Sequence, residues 1–439
     1  MKQTLVIQPT LFTELNLPEA LQKGIDSLGF TEMTDVQQTA LPITLAGKDV
    51  AGQGRTGTGK TATFLITAIN RLLTTEPKEG RNKHHPRVLV IAPTRELVIQ
   101  ISADAKKLAQ HTDLKLHTVY GGVDYEKQRL GFDNGVDILI GTPGRLIDYL
   151  KKRVYSLSKA DMLIIDEADR MFDLGFINDL RFMMRRLPHY EQRQSLMFSA
   201  TLSHRVLELA YEHMNSPEKL RAEEGDLIAS GITESMYHTS MDDKLPLLIH
   251  LLRNDNVERG MIFINEKRTG ERVARNLARY GFAVGILSGD VRQKKRMRIL
   301  EDFTKGKLHL LVATDVASRG LHIDGVTHVF NYDLPEDAEN YVHRIGRTAR
   351  AGASGTAISF SCERFCFGLP DIETYISRQI PVTHIDPEML EIGKPTAPDA
   401  CAEGMQQGDR TEQHSKPGGR AGNRPNGNRS NRGRHSQRR

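Results

Sequence analysis

Short apolar runs alternate with longer segments of helical periodicity in the first half of the chain. The clearest runs are Val88–Ala92, Val136–Ile140, Met162–Asp166 and Ser195–Phe198. Nearly continuous aliphatic runs are typical of parallel strands that helices cover on both faces. Segments such as Arg95–Gln110 and Arg145–Lys152 have the helical pattern that would supply this cover. The order of runs and segments predicts an α/β domain with a parallel sheet.

The same alternation recurs in the second half. Its strand candidates are Met261–Ile264, Val284–Leu287, Leu308–Val312 and Val326–Asn331, and its helix candidates include Lys267–Arg279 and Arg292–Phe303. The zone between the two series is polar and contains Pro217, Gly225 and Gly231. We therefore predict two tandem α/β domains with parallel sheets, joined by a linker.

Composition agrees with a folded protein of this size. The chain has 439 residues, of which 38% are hydrophobic and 26% charged, which excludes a wholly disordered chain and a small disulfide scaffold. Its cysteines are Cys362, Cys366 and Cys401, which lack a second pair of metal ligands and indicate reduced thiols in a cytoplasmic protein. No apolar run approaches the ~18 residues of a membrane span, so we expect no membrane partner.

Positive charge is concentrated at the C-terminus. From Lys416 to Arg439 the chain has one Lys, seven Arg and no acid, which leaves −3 on residues 1–415 out of the net +5. Gly, Asn and Pro fill the rest of this segment, so it should be disordered. Arginine forks pair well with phosphate oxygens, and the tail predicts a nucleic-acid partner; a solubilising terminus is the alternative.

A glycine-rich segment predicts a nucleotide site. Residues 54–61 read G-R-T-G-T-G-K-T, which fits the G-x4-G-K-[ST] pattern of phosphate-binding loops, between a short strand at Asp49–Ala51 and a helix at Thr61–Leu73. Lys60 would reach the β- and γ-phosphates and Thr61 would ligate Mg²⁺. The candidate nucleotide-binding residues here are Gln53, Gly54, Arg55, Thr56, Gly57, Thr58, Gly59, Lys60 and Thr61.

Acidic residues end one of the apolar runs. Asp166 follows the apolar stretch of Met162–Asp166, and Glu167 is adjacent to it. A phosphate-binding-loop enzyme needs a carboxylate at a strand end to hold Mg²⁺. Asp166 suits that role, and Glu167 could orient and deprotonate the attacking water.

Arginines are dense in the second half, where residues 343–350 read H-R-I-G-R-T-A-R. Like charges this close repel one another unless an anion satisfies them, and a transferring phosphoryl group in a cleft between domains is such an anion. A basic solvent face is an equally good interpretation of this segment alone.

Taken together, these residues resemble a known family. Residues 166–169 read D-E-A-D, the name-giving motif of the DEAD-box RNA helicases. Other motifs of that family occur in its order and approximate spacing at Pro93–Leu97, Gly121–Gly122, Thr142–Arg145, Ser199–Thr201 and Ala313–Ala317. The resemblance extends from about Phe12 to about Phe360 and implies two RecA-like domains that close over ATP, Mg²⁺ and RNA.

The resemblance also implies roles for single residues. Gln37 would recognise the adenine edge and Phe12 would stack on the base, while Arg347 and Arg350 would be the arginine fingers. Asp169, Ser199, Thr201, His343 and Arg344 would couple the domains. The implied RNA-binding residues are Pro93, Thr94, Arg95, Gly121, Gly122, Thr142, Gly144, Arg145, Gly289, Asp290, Arg296 and Thr314. These suit sugar and phosphate contacts, so RNA binding should be independent of sequence.

Three positions depart from the family pattern. Met33 and Asp35 stand where the adenine motif usually has proline, which removes two pre-set φ angles. His322 replaces an aspartate, so a ribose contact is in doubt. Ala349 replaces a glycine, which is tolerated if its φ is negative and unfavourable otherwise.

The domain boundaries follow from these motifs. We predict an adenine-recognition region at 1–38, an ATP-binding domain at 39–220, a linker at 221–235, a second domain at 236–392 and a disordered tail at 393–439. Details after the acidic motif resemble the bacterial helicases of the RNA degradosome, whose partner is the scaffold region of an endoribonuclease. The predicted function is ATP-dependent unwinding of RNA in the course of RNA degradation; a nucleotide-gated RNA clamp and a DNA-directed motor are the alternatives.

Overall fold

A computed structural model describes residues 11–54, 58–220, 231–318, 323, 325–349, 353–397, 400 and 402. Several predicted features lie outside these residues. They are Arg55, Thr56 and Gly57 of the glycine-rich segment, His322, Arg350, residues 221–230 of the linker and everything after residue 402.

The described residues form strands and helices in regular alternation. The strands are β1 (Val50–Gln53), β2 (Val88–Ile91), β3 (Leu116–Val119), β4 (Ile138–Gly141), β5 (Met162–Ile165), β6 (Gln194–Ser199), β7 (Glu218–Leu220), β8 (Ile232–His238), β9 (Gly260–Ile264), β10 (Val284–Leu287), β11 (Leu310–Thr314), β12 (His328–Asn331), β13 (Gly355–Ser361) and β14 (Val382–Thr383).

The α-helices cover these strands. They are α1 (Glu19–Ser27), α2 (Asp35–Leu45), α3 (Lys60–Thr74), α4 (Arg95–Leu108), α5 (Tyr125–Gly131), α6 (Pro143–Lys151), α7 (Ala168–Asp173), α8 (Ile177–Met184), α9 (His204–His213), α10 (Lys244–Asn254), α11 (Lys267–Arg279), α12 (Gln293–Thr304), α13 (Asp315–Ser318), α14 (Ala338–Ile345) and α15 (Leu369–Tyr375). Short 3-10 turns lie at Phe12–Glu14, Phe132–Asn134, Tyr190–Gln192, Cys366–Gly368 and Pro387–Leu390.

Across the described residues the strands form two seven-stranded sheets, which confirms the tandem α/β fold. The first has the order β3-β4-β2-β5-β6-β1-β7 and the second β10-β11-β9-β12-β13-β8-β14. Every strand pairing in both sheets is parallel, for example Val88 with Met162 and His328 with Gly260. Both sheets belong to one compact unit.

Alternate residues of the strands enter different cores. In β2, Val88 and Val90 pack into the core on one face of the sheet, while Leu89 and Ile91 pack into the core on the other. Because both faces are covered, nearly every position in such a strand is apolar. Because the strands are parallel, their carboxyl ends lie at one common edge of the sheet, where the polar loops that follow them meet.

The N-terminal region is part of the first domain. Phe12, Leu21, Ile25 and Met33 are buried in the same core as the first sheet. The described part of the predicted adenine-recognition region, residues 11–38, therefore shares its core with the ATP-binding domain. Apolar residues of α1 pack there because they have no other surface to cover them.

The linker ends earlier than predicted. Ile232–His238 is strand β8, which pairs with β13 from Ile232↔Gly355 to His238↔Ser361. The second domain therefore begins by residue 232 and not at 236. This strand mixes polar and apolar residues, which hid it in the sequence.

The second domain also extends past residue 392. The backbone N–H of Ala397 donates to the carbonyl of Arg279 at 2.8 Å, and Ala402 is buried in the core of the second domain. The predicted start of the tail at 393 is therefore wrong, because residues 393–397 contact the C-terminal end of α11.

Ala349, which stands where the family usually has glycine, has a positive φ of +52°. The left-handed conformation places Cβ against the following carbonyl and costs about 1–2 kcal/mol in a residue other than glycine. The substitution is therefore unfavourable at this position.

We predict that Ala349→Gly raises the free energy of unfolding by roughly 0.5–1 kcal/mol, since relief of strain exceeds the entropy that glycine loses on folding. Denaturant unfolding measures this change. Ala283→Gly is the control, because Ala283 is exposed and has no positive φ, and it should lower stability. Equal effects of the two substitutions would contradict the strain.

Candidate active site

Strand β1 delivers the glycine-rich segment to the edge of the first sheet. Gln53 pairs with Ser199 of β6, and the N–H of Gly54 donates to the Ser199 carbonyl at 3.0 Å. Helix α3 begins at Lys60 after Gly59, whose φ of +87° ends the loop. The free N–H groups of the first turn therefore face the segment, as an anion site requires.

Lys60 is held inside this segment. Its side chain is buried, and Nζ donates to the carbonyl of Gly54. A carbonyl accepts from the ammonium group as a phosphate oxygen would, and the amine lies beside the backbone of Gly54 at the start of the glycine-rich segment. Thr61 follows on the first turn of α3 and is half-buried.

A capping box at the start of α2 supports the same segment. Thr34 Oγ1 accepts from the N–H of Gln37 at 3.4 Å, and Gln37 Oε1 accepts from the N–H of Thr34 at 2.9 Å. Thr34 Oγ1 also donates to the Thr58 carbonyl at 2.7 Å, and Gln37 Nε2 to the Gly59 carbonyl at 3.3 Å. The capping box replaces the restraint of the missing prolines. Sequence reasoning did not identify Thr34 as a residue that supports the glycine-rich segment.

Phe12 does not offer its ring to a base. It is 1% exposed and lies in the core, stacked on Phe30 at 6.2 Å between ring centroids. Phe30 is 37% exposed, so it has the accessible ring of the pair. The structure contradicts direct stacking of Phe12 on adenine, because its side chain is buried in the core of the first domain.

The acidic motif lies two strands away from β1 on the same edge. Asp166 directly follows β5, its N–H donates to the Ile91 carbonyl at 3.0 Å, and its Oδ1 accepts from the N–H of Glu167 at 2.9 Å. Burial raises the pKa of Asp166 to about 6, with Lys60 opposing and Glu167 adding to the rise. Burial makes the charged form of this carboxylate costly, and a bound cation would stabilise it.

Glu167 has a strained backbone. Its φ is +50°, in the left-handed region, at the start of α7. Its Oε2 is buried and has no hydrogen-bond partner among the described residues. Strain together with an unsatisfied carboxylate oxygen is typical of a functional position.

Ser199 joins the acidic motif to the glycine-rich segment. Its Oγ accepts from the N–H of Asp169 at 3.1 Å, while its carbonyl accepts from Gly54. One residue thus contacts both segments. The predicted hydrogen bonding of Ser199 towards Asp169 is the contact observed.

The second domain reaches Asp169 through α14. His343 Nε2 lies 3.8 Å from Asp169 Oδ2, and Arg170 donates to Asn340 Oδ1 at 3.2 Å. Glu339 at the start of α14 lies close to Asp169 as well, and its pKa is raised by burial and by the Asp169 charge. The carboxylates of the acidic motif are thus in contact with the second domain.

A second contact between the domains involves Glu96 of α4. Arg296 Nε lies 2.8 Å from Glu96 Oε1, and Gln293 Nε2 donates to the same oxygen at 3.1 Å. Arg296 also donates to the Ala317 carbonyl at 2.6 Å. Arg296 was predicted to bind RNA, but here its guanidinium bridges the domains, and sequence reasoning missed Glu96 and Gln293.

Arg344 is not a contact between domains. It is 1% exposed, and its guanidinium donates to both carboxylate oxygens of Asp315 at 2.7 and 2.6 Å, to Asn265 at 2.7 Å and to the Asp333 carbonyl at 2.5 Å. All these partners belong to the second domain. The prediction for Arg344 is wrong because strand ends β9, β11 and β12 surround its guanidinium with acceptors.

Arg347 follows α14 and is buried. Its N–H donates to the Arg344 carbonyl at 3.1 Å, so it lies in the turn directly after the helix that contacts Asp169. Arg350 lies outside the described residues. The role of both arginines stays a prediction.

The RNA-binding candidates of the first domain lie together. A Cβ at Gly122, where φ is +81°, would lie 2.1 Å from Arg95 Nη1, and a Cβ at Gly121 would lie 3.2 Å from Arg95 Nη2. Arg145 donates to the Val123 carbonyl at 3.4 Å. The glycines therefore let the Arg95 guanidinium lie flat on the backbone.

The remaining candidates of that domain occupy helix starts. Thr94 caps α4 by accepting from the N–H of Leu97 at 3.3 Å. Thr142 precedes α6, which begins at Pro143, and a Cβ at Gly144 would meet no atom within 4 Å. Pro93 lies in the short loop between β2 and α4. All four lie at the carboxyl edge of the first sheet.

In the second domain the candidates follow β10 and β11. A Cβ at Gly289 would lie in open space, and Asp290 forms an ion pair with Lys267. Thr314 Oγ1 accepts from the N–H of Ala317 at 3.4 Å. Since β10 and β11 pair side by side, Gly289 and Thr314 lie at one edge.

The donor set fits Mg²⁺ that a nucleotide brings. In the described residues no group of three or more His, Cys, Asp or Glu side chains could hold a metal ion by itself. Mg²⁺ commonly takes only one or two protein carboxylates together with phosphates. The buried carboxylate of Asp166 and the unsatisfied Oε2 of Glu167 fit such an arrangement.

None of the described helices is long and apolar enough to cross a membrane.

Comparison with known families agrees with the geometry. Residues 34–209 match the DEAD/DEAH box helicase model, and residues 243–352 match the helicase conserved C-terminal domain. The chain is 54% identical over 399 residues to the ATP-dependent RNA helicase RhlB of Xanthomonas campestris pv. campestris, covering 91% of this chain and 70% of that protein. It is 52% identical over 379 residues to RhlB of Shewanella sediminis, covering 86% and 87%.

Solved structures share the fold. Dbp5 of S. cerevisiae bound to RNA and ADP BeF3 has a TM-score of 0.76 and 29% identity, covering 85% of this chain and 95% of that one. Mss116p bound to ssRNA and AMP-PNP has a TM-score of 0.77 and 27% identity, covering 87% and 81%.

We predict that Asp166→Asn stabilises the nucleotide-free protein above pH 6. A carboxyl with a pKa of about 6 in the folded state and 3.8 ordinarily holds its proton when folded, so its contribution to stability falls as pH rises through that window. At pH 7.5 the variant should gain up to about 3 kcal/mol, and the gain should vanish near pH 4. Denaturant unfolding of both proteins across this range measures it, and a gain independent of pH would contradict the raised pKa.

We predict that Glu96→Gln weakens the coupling between RNA and nucleotide. RNA affinity in the presence of a non-hydrolysable ATP analogue should fall about tenfold, because the charge that holds Arg296 across the domains is lost. Affinity without nucleotide should not change. Asp148→Asn is the control, since Asp148 pairs at 3.3 Å with Lys152 within the first domain. Equal losses with and without nucleotide would contradict the role of Glu96.

Proposed function

The chain belongs to the DEAD-box family of ATP-dependent RNA helicases, and from this premise we propose which residues perform its chemistry. It is an enzyme that hydrolyses ATP in order to unwind RNA. The observation that supports the assignments best is the contact of Asp169 with Ser199 on one side and His343 on the other. Through it, the nucleotide site of the first domain is linked to the second domain.

Lys60 and Thr61 bind the nucleotide. The ammonium of Lys60 exchanges the Gly54 carbonyl for the β- and γ-phosphates, and Gln37 and Thr34 keep the loop in place around them. Mg²⁺ held by Thr61 and Asp166 would neutralise phosphate charge. Phe30, with its accessible ring, replaces Phe12 as the stacking partner of adenine.

Glu167 is the general base. Its unpartnered Oε2 is available to orient the attacking water and accept its proton. The strained backbone holds this carboxylate beside Asp166 and not in a relaxed helical position. Arg347 and Arg350 supply positive charge to the transferring phosphoryl group.

RNA lies along the carboxyl edges of both sheets. The first domain offers Arg95 above Gly121 and Gly122, with Thr94 and Arg145 beside them. The second offers Gly289 and Thr314. Backbone N–H groups, hydroxyls and guanidinium groups contact sugar and phosphate, so unwinding does not depend on base sequence. Glu96 and Arg296 join the two halves of this surface.

The direct test is ATP hydrolysis with and without single-stranded RNA, for the wild-type protein and Glu167→Gln. RNA should stimulate the wild type, and the variant should bind both ligands but hydrolyse ATP at least about 100-fold more slowly, the usual contribution of a general base. Wild-type hydrolysis by the variant would contradict Glu167 as the base.

Strand separation of a short RNA duplex accompanies this assay. An RNA clamp would show RNA-dependent hydrolysis without unwinding, and a DNA-directed motor would be stimulated equally by DNA. Either result would contradict the proposed function. Glu126→Gln is the matched control, since Glu126 is exposed on α5 and pairs with Arg129 at 2.6 Å.

Further partners follow from the sequence resemblance. We propose that the Arg-rich segment Lys416–Arg439 adds phosphate contacts, since it has eight cations and no acid. We also propose the scaffold of a bacterial RNA degradosome as a protein partner, in view of the identity to RhlB helicases; failure of the two purified proteins to associate would refute this. A cytoplasmic location, expected from the cysteines, stays a prediction.

A further inference from the structure

Helix α11 has a row of arginines on one face. Its thirteen residues include Lys267, four arginines and a single acid, Glu271. The arginines are Arg268, Arg272, Arg275 and Arg279, separated by four, three and four residues. Side chains at such spacings lie above one another on a helix. We call these four residues the arginine row.

The arginine row faces away from the protein. Val273, Ala274, Leu277 and Ala278 of the opposite face are buried in the core of the second domain. Arg268, Arg272 and Arg275 are exposed, and Arg279 is half-buried. The one acid of the helix, Glu271, lies 3.8 Å from Lys267 and is thus engaged with a residue outside the row.

Like charges four residues apart destabilise a helix by about 0.2–0.5 kcal/mol per pair. Elsewhere in the second domain a carboxylate balances such a charge, as Asp315 does for Arg344. Arg272 lies close to the hydroxyl of Tyr332, a neutral group that does not compensate the guanidinium charge. A row of this kind is favourable when a polyanion lies along it.

The position of the row links two other basic features. Helix α11 begins three residues after β9, at the sheet edge where Gly289 and Thr314 lie. Arg268 and Arg279 are about 16 Å apart at 1.5 Å per residue. At the far end, Ala397 binds the Arg279 carbonyl and Tyr280 donates to the Gly393 carbonyl at 3.2 Å. The chain continues from there into the Arg-rich C-terminal sequence.

We propose that the arginine row is a second RNA-binding surface, which holds the phosphates of a strand that continues beyond the cleft. The proposal rests on RNA binding at the carboxyl edges of the sheets. RNA fits better than an acidic protein because the exposed positions of α11 include no apolar residue, whereas protein interfaces need a desolvated apolar centre. Phosphates need only the guanidinium groups.

The test compares RNA strands of two lengths. One strand is just long enough to fill the cleft, and the other carries an extension at its 5′ or 3′ end. The variant is Arg268→Gln with Arg275→Gln, which removes two exposed charges. The matched control is Arg185→Gln with Arg205→Gln, which removes two exposed arginines from the first domain. Arg268→Lys with Arg275→Lys keeps the charge.

For one of the two extended strands, the Gln variant should bind about tenfold more weakly than the control. The slope of log affinity against log salt should fall by about 1.4, that is about 0.7 for each lost phosphate contact. Binding of the short strand and its stimulation of ATP hydrolysis should not change. The Lys variant should retain most of the affinity, since a phosphate also accepts a point charge.

Three results would overturn the proposal. Extended strands could bind the variant and the control equally well. Short and extended strands could lose affinity equally, which would place the arginines in the cleft. Polyglutamate binding could fall while RNA binding stays constant, which would indicate an acidic protein partner. Failure of the wild type to bind the short strand would instead refute the cleft itself, so the two failures are distinguishable.

Discussion

Ser199 holds the nucleotide site together. Its carbonyl accepts from Gly54 and its hydroxyl accepts from the N–H of Asp169, so one residue at the end of β6 fixes both the glycine-rich segment and the acidic motif. This is possible because β6 lies between β1 and β5 in a parallel sheet, where all strands end on one edge. Asp169 then contacts His343 of the second domain. Ser199, through its carbonyl and its hydroxyl, therefore lies on one path from the glycine-rich segment to the second domain.

Two acidic residues of the site are held in energetically unfavourable environments, which a bound ligand would relieve. Asp166 is buried with a raised pKa, and Glu167 has a left-handed backbone and an unsatisfied oxygen. Such features persist only where the surrounding fold determines them, here through β5 and its two buried neighbours. A bound cation and nucleotide would relieve the desolvation of the carboxylates. The sheet therefore provides the stability, while the loops at its edge keep the reactive groups unsatisfied.

Sequence predicted the features that depend on local pattern. The runs at Val88–Ala92 and Met162–Asp166 became β2 and β5, and Lys267–Arg279 is helix α11 with the same bounds. Strand β8 was missed, because Ile232–His238 mixes polar and apolar residues and owes its place to its partners β13 and β14. A strand of that kind is determined by tertiary pairing, which local periodicity does not encode.

Arginine shows why the chemistry of a site is harder to predict than its strands. Arg296 pairs with the carboxylate of Glu96, 200 residues earlier in the chain. Arg344 pairs with the carboxylate of Asp315 and also donates to oxygens of Asn265 and Asp333, which follow two other strands. Neither partner can be recognised from neighbours in sequence, so the contact of Arg296 with Glu96 was missed and the role of Arg344 was assigned incorrectly. In contrast, the arginines of α11 keep a regular spacing on a solvent-facing helix. Burial thus separates two uses of the same side chain: a buried guanidinium fixes the fold through matched acceptors, and an exposed row leaves its charge for a ligand.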